Sequence, residues 1–418
     1  MKFVHAADIH LDSPMRGLDR YPGAPSDAMR AATRRALSNL VDLCLDEGAG
    51  LLVIAGDLYD GTWKDFGTGL YFSKQMSRLK EAGVHVVLLR GNHDAASQIS
   101  KGLHWPENVK SLSVKKPETF VFEDLGVAVH GQGFATRAVT DDLAARYPEP
   151  VHGLLNIGML HTSLDGREGH EAYAPTTLAT LAARGYDYWA LGHVHAREVV
   201  SKEPWVVFPG NLQGRHARET GPKGATLVTV VNGRIAKVEA HALDVVRWAT
   251  VHVDVTGCAT EGDVLDRARE ALGRAVKDAD GRALAARVTL AGECAAHVAI
   301  EADPERFVAE VRLLANDAGA DVWVEKVQLG TRAPLDLAGL RAQPDAIGEL
   351  ARALDALRSD DDALASVSAS LDELRKKLPA ELRDGDDALR FDDPAYLRTL
   401  VDEVEQMILP RLVRAERP

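Results

Sequence analysis

The sequence has few cysteines and no long apolar run. Its three cysteines, Cys44, Cys258 and Cys294, are an odd number in 418 residues and lack the spacing of a thiolate metal site. No uncharged apolar run approaches the roughly 18–20 residues that a membrane span needs. The first predicted strand begins so close to Met1 that a secretory signal peptide has no room. We therefore expect a protein of the reducing cytoplasm with no membrane partner.

A broad basic stripe is also missing. The formal net charge is −13, and its distribution is uneven. Residues 1–250 carry 27 Lys and Arg against 28 Asp and Glu, whereas residues 251–418 carry 22 against 34. The acidic excess therefore belongs to the second part of the chain, and the charge of the first part permits DNA binding without demanding it.

Length and composition indicate a globular protein of two or three domains. A chain of 418 residues is too long for one compact core. Its hydrophobic content of 46% and charged content of 27% are ordinary for that class. In the first half, strand patterns alternate with amphipathic helix patterns over 27–47 and 66–82, which predicts an α/β fold.

Five short segments of the first half carry histidine, acidic or amide side chains. Each follows an apolar run that is typical of a buried strand. Because the carboxyl ends of parallel strands meet at one edge of a sheet, we expect these side chains to converge. The segments are Asp8-Ile9-His10, Gly56-Asp57-Leu58-Tyr59-Asp60, Gly91-Asn92-His93-Asp94, His161 and Gly192-His193-Val194-His195.

These residue types favour a site for two divalent metal ions. Carboxylate, amide and imidazole groups are ligands for borderline-to-hard cations, and two ions about 3.5–4 Å apart can share a bridging carboxylate and hydroxide. Asp57 is the natural bridge, because it lies on the tight turn after the second strand. The i, i+2 pairs suit extended segments, which point both side chains the same way. On that geometry one ion takes Asp8, His10, Asp57 and His195, and the other takes Asp57, Asn92, His161 and His193.

This set of segments resembles the calcineurin-like metallophosphoesterase superfamily, whose ligand pattern the assignment follows. The stretches 1–14 and 208–216 look like the DNA-repair nuclease branch typified by the bacterial SbcD subunit, especially its YhaO-like members. The resemblance implies that His93 is the general acid and Asp60 its orienting partner. Archaeal and eukaryotic relatives usually carry a second histidine at the Asp60 position, so their strand polarity does not transfer.

The resemblance also implies an architecture. We expect a two-sheet α/β/β/α metallophosphoesterase sandwich over residues 1–245. The strand and helix patterns that follow predict a small α/β cap domain over 250–332. Residues 335–418 read as helices with apolar stripes and no obvious core left to join, which favours a helical region that docks a partner. The alternative is that these helices fold back on the cap domain or pair with each other.

Candidate substrate contacts follow the last ligand pair. The glycine-rich segment 211–223 holds Arg215, His216 and Arg218, which suit contacts to a phosphate backbone. A solvated hairpin loop is the alternative interpretation. Tyr59 and Trp63 either stack on bases or pack the loop after the second strand.

We therefore expect a two-metal-dependent DNA exonuclease, the nuclease subunit of a repair complex. A hydroxide shared by the ions would attack the phosphodiester while His93 protonates the leaving oxygen. The expected metal is Mn²⁺, with Fe²⁺, Mg²⁺ or Zn²⁺ as alternatives. The resemblance implies DNA, an SbcC-like coiled-coil ATPase and a second copy of the chain as partners, the last through helix 66–82 and the stretch after Asp94. The alternatives are a small-molecule phosphatase or cyclic-nucleotide phosphodiesterase, and a non-catalytic scaffold at DNA ends.

Overall fold

The structure, a computed structural model, describes residues 1–13, 26–60, 65–96, 105–165, 173–318, 321–378 and 388–415. Trp63 and most of the stretch after Asp94 lie outside these residues. The chain divides into two compact units. The first comprises Met1–Val251, Gly273–Arg287 and Ala318–Lys326, and the second comprises His252–Leu272, Val288–Asp317 and Val327–Pro418.

Strands dominate the first half of the chain, and helices dominate its end. The strands are β1 (Lys2–Ala6), β2 (Leu51–Ile54), β3 (His85–Leu88), β4 (Val109–Ser111), β5 (Glu118–Phe122), β6 (Val127–Gly131), β7 (Leu155–His161), β8 (Tyr188–Gly192), β9 (Glu198–Lys202), β10 (Trp205–Phe208), β11 (Gly224–Val231), β12 (Arg234–Ala242), β13 (Val246–Asp254), β14 (Ala283–Glu293) and β15 (Val322–Arg332). The helices are α1 (Ser26–Asp46), α2 (Phe66–Glu81), α3 (Asn92–Ala96), α4 (Leu178–Ala183), α5 (Glu261–Asp278), α6 (His297–Ala302), α7 (Pro304–Asp317), α8 (Leu337–Ala342), α9 (Ala346–Ser359), α10 (Asp361–Lys377) and α11 (Pro394–Ala415).

Two six-stranded sheets form the first unit. The first sheet has the order β12-β11-β1-β2-β3-β4, in which β1 to β4 are parallel and β11 is antiparallel to β1. The second has the order β5-β6-β7-β8-β10-β9, in which β6, β7, β8 and β10 are parallel and the edge strands β5 and β9 are antiparallel. Parallel central strands put several carboxyl ends at the same edge.

Alternating side chains of the strands fill separate cores. On β1, Val4 packs with the residues of α1 and α2, whereas Phe3 packs with residues of the second sheet. The other face of the second sheet buries Trp189 with Leu181 of α4. Each fully buried large apolar side chain contributes about 1.5–3 kcal/mol, so these cores fix the strands firmly. The predicted α/β/β/α sandwich is confirmed.

A third sheet, of order β13-β14-β15, contributes residues to both compact units. Its strands are connected by α5 and by α6 with α7, which is the mixture of strands and helices expected of a small α/β domain. The strand β13 begins at Val246, before the start of the predicted cap domain at residue 250. Sequence analysis did not find the short strands β4, β5 and β9.

The helices α8 to α11 pack against one another in the second unit. Each of α8, α9 and α10 begins after an aspartate, and Asp336, Asp345 and Asp360 accept hydrogen bonds from the first turns. One small core contains Ile347 and Leu409, and other residues of the stripes form a second core. The alternative interpretation, in which these helices pair with each other, therefore fits the structure, because most of the stripe residues pack against each other and are fully or partly buried. Among the described residues, no helix is long and apolar enough to cross a membrane.

Candidate metal centre

The predicted ligands lie at the carboxyl ends of β1, β2, β3, β7 and β8. The loops after β1 and β2 run side by side, because Asp8 N–H donates to Gly56 O at 3.0 Å and His10 N–H donates to Asp57 O at 3.0 Å. These bonds continue the pairing of two adjacent parallel strands beyond the sheet. The structure thus brings the predicted residues together at one edge of the sandwich.

Several of these residues have left-handed backbone conformations. Positive φ is uncommon for residues with a Cβ, costs on the order of 1–3 kcal/mol and is found mostly at functional sites. Sequence analysis expected extended segments at the pairs Asp8/His10 and His193/His195. This expectation is wrong, because sharp turns direct these side chains inward. The φ angles are 50° at Asp8, 45° at His10, 51° at Asp57 and 96° at His193.

Two glycines permit the close approach of these loops. Gly56 has φ of 100°, and a methyl group on it would collide with the His161 ring. A methyl group on Gly91 would collide with the Asp57 carboxylate. Both positions therefore require glycine for the ligands to meet.

The first ligand group joins Asp8, His10 and His195. His10 Nε2 and His195 Nε2 face each other at 3.4 Å, and His195 Nε2 lies 3.7 Å from Asp8 Oδ1. Asp57 Oδ2 lies 3.9 Å from His10 Nε2. Within the described part of the chain, the buried Asp8 Oδ1 accepts no hydrogen bond. Nitrogen lone pairs and an unsatisfied carboxylate oxygen directed at one point fit a divalent cation.

The second group joins Asp57, Asn92, His161 and His193. His161 donates from Nδ1 to Ala55 O at 2.9 Å, while its Nε2 lies 2.9 Å from Asn92 Oδ1 and 3.4 Å from Asp57 Oδ2. The ring of His193 lies 5.2 Å from that of His161, between centroids. Asp57 therefore faces both groups, as expected for a bridging ligand.

Electrostatics support the same conclusion. Burial lowers the pKa of His161, but Asp57 outweighs this effect and raises the pKa to about 9. Burial would raise the pKa of Asp57, but His161, His10 and His93 hold it well below its usual range. The buried carboxylate thus attracts protons to neighbouring imidazoles, and bound cations would replace those protons.

A histidine–carboxylate pair stands beside the two groups. His93 Nδ1 lies 2.7 Å from Asp60 Oδ1, and Ser13 Oγ donates to Asp60 Oδ2 at 2.6 Å. Burial lowers the pKa of His93, but the hydrogen bond to Asp60 and the charge of Asp57 give a net increase. The side chain of His93 is 31% exposed, so it can meet a substrate from solvent. A positioned imidazole whose pKa is raised by a neighbouring carboxylate is suited to general acid catalysis.

Glu219 is a component of the site that sequence analysis missed. Its carboxylate lies 2.6 Å from His195 Nδ1 and is almost completely buried. Burial would raise its pKa, but the hydrogen bond from His195 and the charge of Arg215 hold it well below its usual range. Only its i, i+4 spacing from Arg215 in the glycine-rich segment could have indicated its role, and sequence analysis considered only basic side chains there.

The sequence of the first half of the chain matches a family of known enzymes. The calcineurin-like phosphoesterase family matches residues 1–197, which contain the ligand groups and the His93–Asp60 pair. The chain contains a calcineurin-like metallophosphoesterase domain. The family described as the middle domain of metallophosphoesterase YhaO matches residues 248–332. The resemblance predicted from the motifs is thereby confirmed.

Relatives of the metallophosphoesterase domain include the uncharacterized metallophosphoesterase YhaO of Bacillus subtilis. It is 40% identical over 260 residues, which are 61% of this chain and 64% of the relative, less than two thirds of its length. The DNA double-strand break repair protein Mre11 of Methanopyrus kandleri is 27% identical over 382 residues, covering 81% of this chain and 75% of that protein. The solved structure of a dimetal phosphatase from Danio rerio aligns with this chain at a TM-score of 0.36 and 11% identity. The alignment covers 58% of this chain and 96% of the phosphatase chain.

The three basic residues predicted to contact substrate lie in different environments. Arg215 is only 16% exposed, and its guanidinium lies 3.5 Å from Glu219 and 3.9 Å from Asp60. His216 and Arg218 are exposed, and His216 Nε2 lies 3.5 Å from Glu219 Oε1. Two of the three predicted substrate contacts therefore lie at the surface, whereas Arg215 lies largely buried beside Glu219 and Asp60.

Tyr59 lies in the core of the metallophosphoesterase domain. It is buried, and its ring packs near those of Phe72 and Trp105. Of the two interpretations of this residue, the structure favours packing over base stacking.

Proposed function

We propose that this protein is a metal-dependent DNA exonuclease, the nuclease subunit of a DNA repair complex. The observation that carries the proposal is the His93–Asp60 pair beside two ligand groups that share Asp57. The relative named as the DNA double-strand break repair protein Mre11 supports a DNA substrate, since its similarity covers 81% of this chain.

The two ligand groups would hold two divalent ions, for which we propose Mn²⁺. When bound, such ions stabilise charge on a phosphoryl group and lower the pKa of water. The chain itself supplies the fixed carboxylates and imidazoles and a proton donor. Because Asp60 and Ser13 fix the ring of His93, this side chain is placed to protonate the oxygen that leaves when a phosphodiester is cleaved.

A DNA strand would meet basic side chains beside this centre. Arg218 and His216 are exposed on the segment between β10 and β11 and suit contacts to phosphates that flank the cleaved bond. Arg215 lies closer to the ligands and suits the phosphate that reacts. Phosphate contacts of this kind position a strand without selecting its sequence.

The test is an assay of the purified protein with Mn²⁺ on three substrates: linear duplex DNA, bis-p-nitrophenyl phosphate and nucleoside monophosphates. The proposal expects Mn²⁺-dependent release of nucleotides from DNA ends and cleavage of the small diester, both lost in His93→Ala. Hydrolysis of the monophosphates alone would instead identify a small-molecule phosphatase. Binding of DNA ends without cleavage would identify a scaffold.

We further propose that the C-terminal helices bind an SbcC-like coiled-coil ATPase. Three apolar side chains of α10 and α11 remain exposed after the helices pack: Leu374 at 49%, Met407 at 43% and Leu412 at 38%. Replacing all three with glutamate should prevent co-purification with the ATPase and leave hydrolysis of a small diester unchanged. Leu313→Glu on α7, also at an exposed apolar residue, is the matched control. Full binding by the triple variant would contradict the proposal.

A second copy of this chain is the other proposed partner. Phe66 and Leu70 expose large apolar side chains on α2, the helix that sequence analysis assigned to a dimer. Sedimentation of the wild type and of Leu70→Glu tests this assignment, which predicts a dimer and a monomer respectively.

A further inference from the structure

The segment that connects β10 to β11 contains a buried acid with several partners. Glu219 is 5% exposed and comes within 3.5 Å of two further basic side chains, Arg215 and His216. It is not one of the predicted metal ligands, and it lies on the opposite side of the His195 ring from the ligand group, since it contacts Nδ1 and not Nε2.

Each oxygen of this carboxylate has a separate donor. Oε1 accepts from His195 Nδ1 at 2.6 Å. Oε2 accepts from Asn211 Nδ2 at 2.9 Å and from the main-chain N–H of Arg215 at 2.7 Å. The three donors, on His195, Asn211 and the main chain of Arg215, are thus all matched only when both oxygens of residue 219 accept.

These contacts determine how His195 presents its ring. A proton on Nδ1 is donated to Glu219, so Nε2 keeps its lone pair toward Asp8 and His10. The main chain of His195 is also held, because its carbonyl accepts from Lys223 Nζ at 2.8 Å. A carboxylate on the outer nitrogen of a metal-binding histidine fixes the ring and its tautomer and increases its basicity.

The other oxygen connects the ring to the basic segment. Because Oε2 holds the main chain of Arg215, the position of this arginine depends on the same carboxylate that holds His195. A shift of Glu219 would therefore disturb both His195, a predicted metal ligand, and the neighbouring guanidinium of Arg215.

We propose that Glu219 is a positioning residue, which fixes His195 in the Nδ1–H tautomer for one of the two ions and places Arg215 beside it. The inference rests on the proposed metal-dependent function. It adds a role for the segment after β10 that the predicted ligand set does not contain.

The first test compares Glu219→Gln with wild type in Mn²⁺ titrations of the metal-free protein by calorimetry. A glutamine side chain has one acceptor oxygen and one donor NH₂ group. In either orientation, the NH₂ group therefore faces a donor whose hydrogen bond the carboxylate accepts in the wild type. We expect one of two Mn²⁺ equivalents to bind about 10- to 100-fold more weakly, and the other to bind as in the wild type. Wild-type affinity for both equivalents in Glu219→Gln would overturn the proposal. Failure of the wild type to bind two equivalents would instead overturn the proposed function.

Glu325→Gln is the matched control. Glu325 is buried, and both of its oxygens accept from Arg287, at 2.7 and 2.9 Å. Glu325→Gln therefore removes one of two buried acceptor oxygens, as Glu219→Gln does, without altering the ligands. We expect its thermal stability to fall while both Mn²⁺ equivalents bind normally. If Glu219→Gln behaves in the same way, Glu219 has a structural role only.

The second test needs no variant and decides the question even if Glu219→Gln does not fold. Long-range ¹H–¹⁵N correlation spectra of the zinc-loaded wild type report which nitrogen of each histidine carries the proton. The proposal expects a protonated Nδ1 and a metal-bound Nε2 at His195. A proton on Nε2 would overturn it.

Discussion

At the residue scale, the proposed role of His93 as general acid can be separated from metal binding. Its side chain contacts Asp60, while its main-chain N–H donates to Asp57 Oδ1 at 2.9 Å, a bond that a side-chain substitution leaves in place. We expect His93→Ala to keep both metals and to lose about 10²-fold or more in turnover, the usual effect of removing a general acid. Elemental analysis and a nuclease assay on the same preparation measure the two quantities.

Asp57→Ala is the contrasting substitution. Since Asp57 faces both ligand groups, its removal should lower the metal content as well as the activity. Near-normal turnover of His93→Ala would show that His93 is not the proton donor. Loss of the bound metals from the His93→Ala variant would also contradict this assignment.

His5 is a buried residue that makes stability depend on pH. Its ring contacts Tyr188 Oη at 3.0 Å and Leu191 O at 3.1 Å, and burial lowers its pKa from 6.5 to about 3. The folded state therefore binds this proton less readily than the unfolded state does. The corresponding stability is present above about pH 6.5 and is lost as the pH falls toward 3.

The measurement is urea denaturation of metal-free wild type and His5→Gln between pH 7 and pH 3. The free energy of unfolding of the wild type should fall more steeply in this window, by on the order of a few kcal/mol. Parallel curves for the two proteins would show that other groups account for the acid sensitivity.

At the scale of elements, the segment between β10 and β11 carries two kinds of arginine. Arg218 is exposed, whereas Arg215 is held by Glu219 near Asp60. We expect Arg218→Ala to weaken DNA binding and to reduce the salt dependence by about one unit of slope, with cleavage of bis-p-nitrophenyl phosphate unchanged. Arg215→Ala should reduce the cleavage of both substrates. Equal effects of the two substitutions on the small diester would argue against this division.

The helices of the second unit depend on an ionic contact. Glu405 on α11 is buried and lies 2.8 Å from Arg358 of α9 and 3.6 Å from Arg341 of α8. Since both arginines are partly exposed and can turn to solvent, Glu405→Ala should cost about 1–3 kcal/mol of unfolding free energy. Chemical denaturation followed by circular dichroism measures this. Glu403→Ala, at an exposed neighbour, should change stability by less than about 0.5 kcal/mol.

How well the sequence predicts the structure differs from one kind of element to another. Strands that precede the ligand segments, such as β2 and β7, were predicted, because mostly apolar runs mark buried strands. The short edge strand β5 has only three consecutive apolar residues and was missed. The sequence also predicted which residues meet, but not their left-handed turns, since φ at Asp8 depends on contacts with the loop after β2. Glu219 was missed because its partner His195 is distant in sequence and its carboxylate belongs to no motif.

At the scale of the whole molecule, the ligand groups draw on both sheets of the sandwich. Asp8, Asp57 and Asn92 follow strands of the first sheet, whereas His161 and His193 belong to the second. Ions that bind only the folded state stabilise it by about 2.7 kcal/mol at a concentration 100 times the dissociation constant. Chelation should therefore lower the melting temperature measured by scanning calorimetry. Asp57→Ala should show no such shift, and an equal shift in that variant would place the stabilising ions elsewhere.

This placement would give bound ions a second role, as a removable crosslink. The three cysteines are buried and free, so no disulfide bond joins the two sheets. A shared ion would join them at one edge only, where the loops carry strained backbone and apolar packing gives way to charge. Metal supply in the cell would then control how long the folded protein survives, independently of how fast it turns over substrate. A metal-starved cell would lose the protein by unfolding and proteolysis as well as its activity.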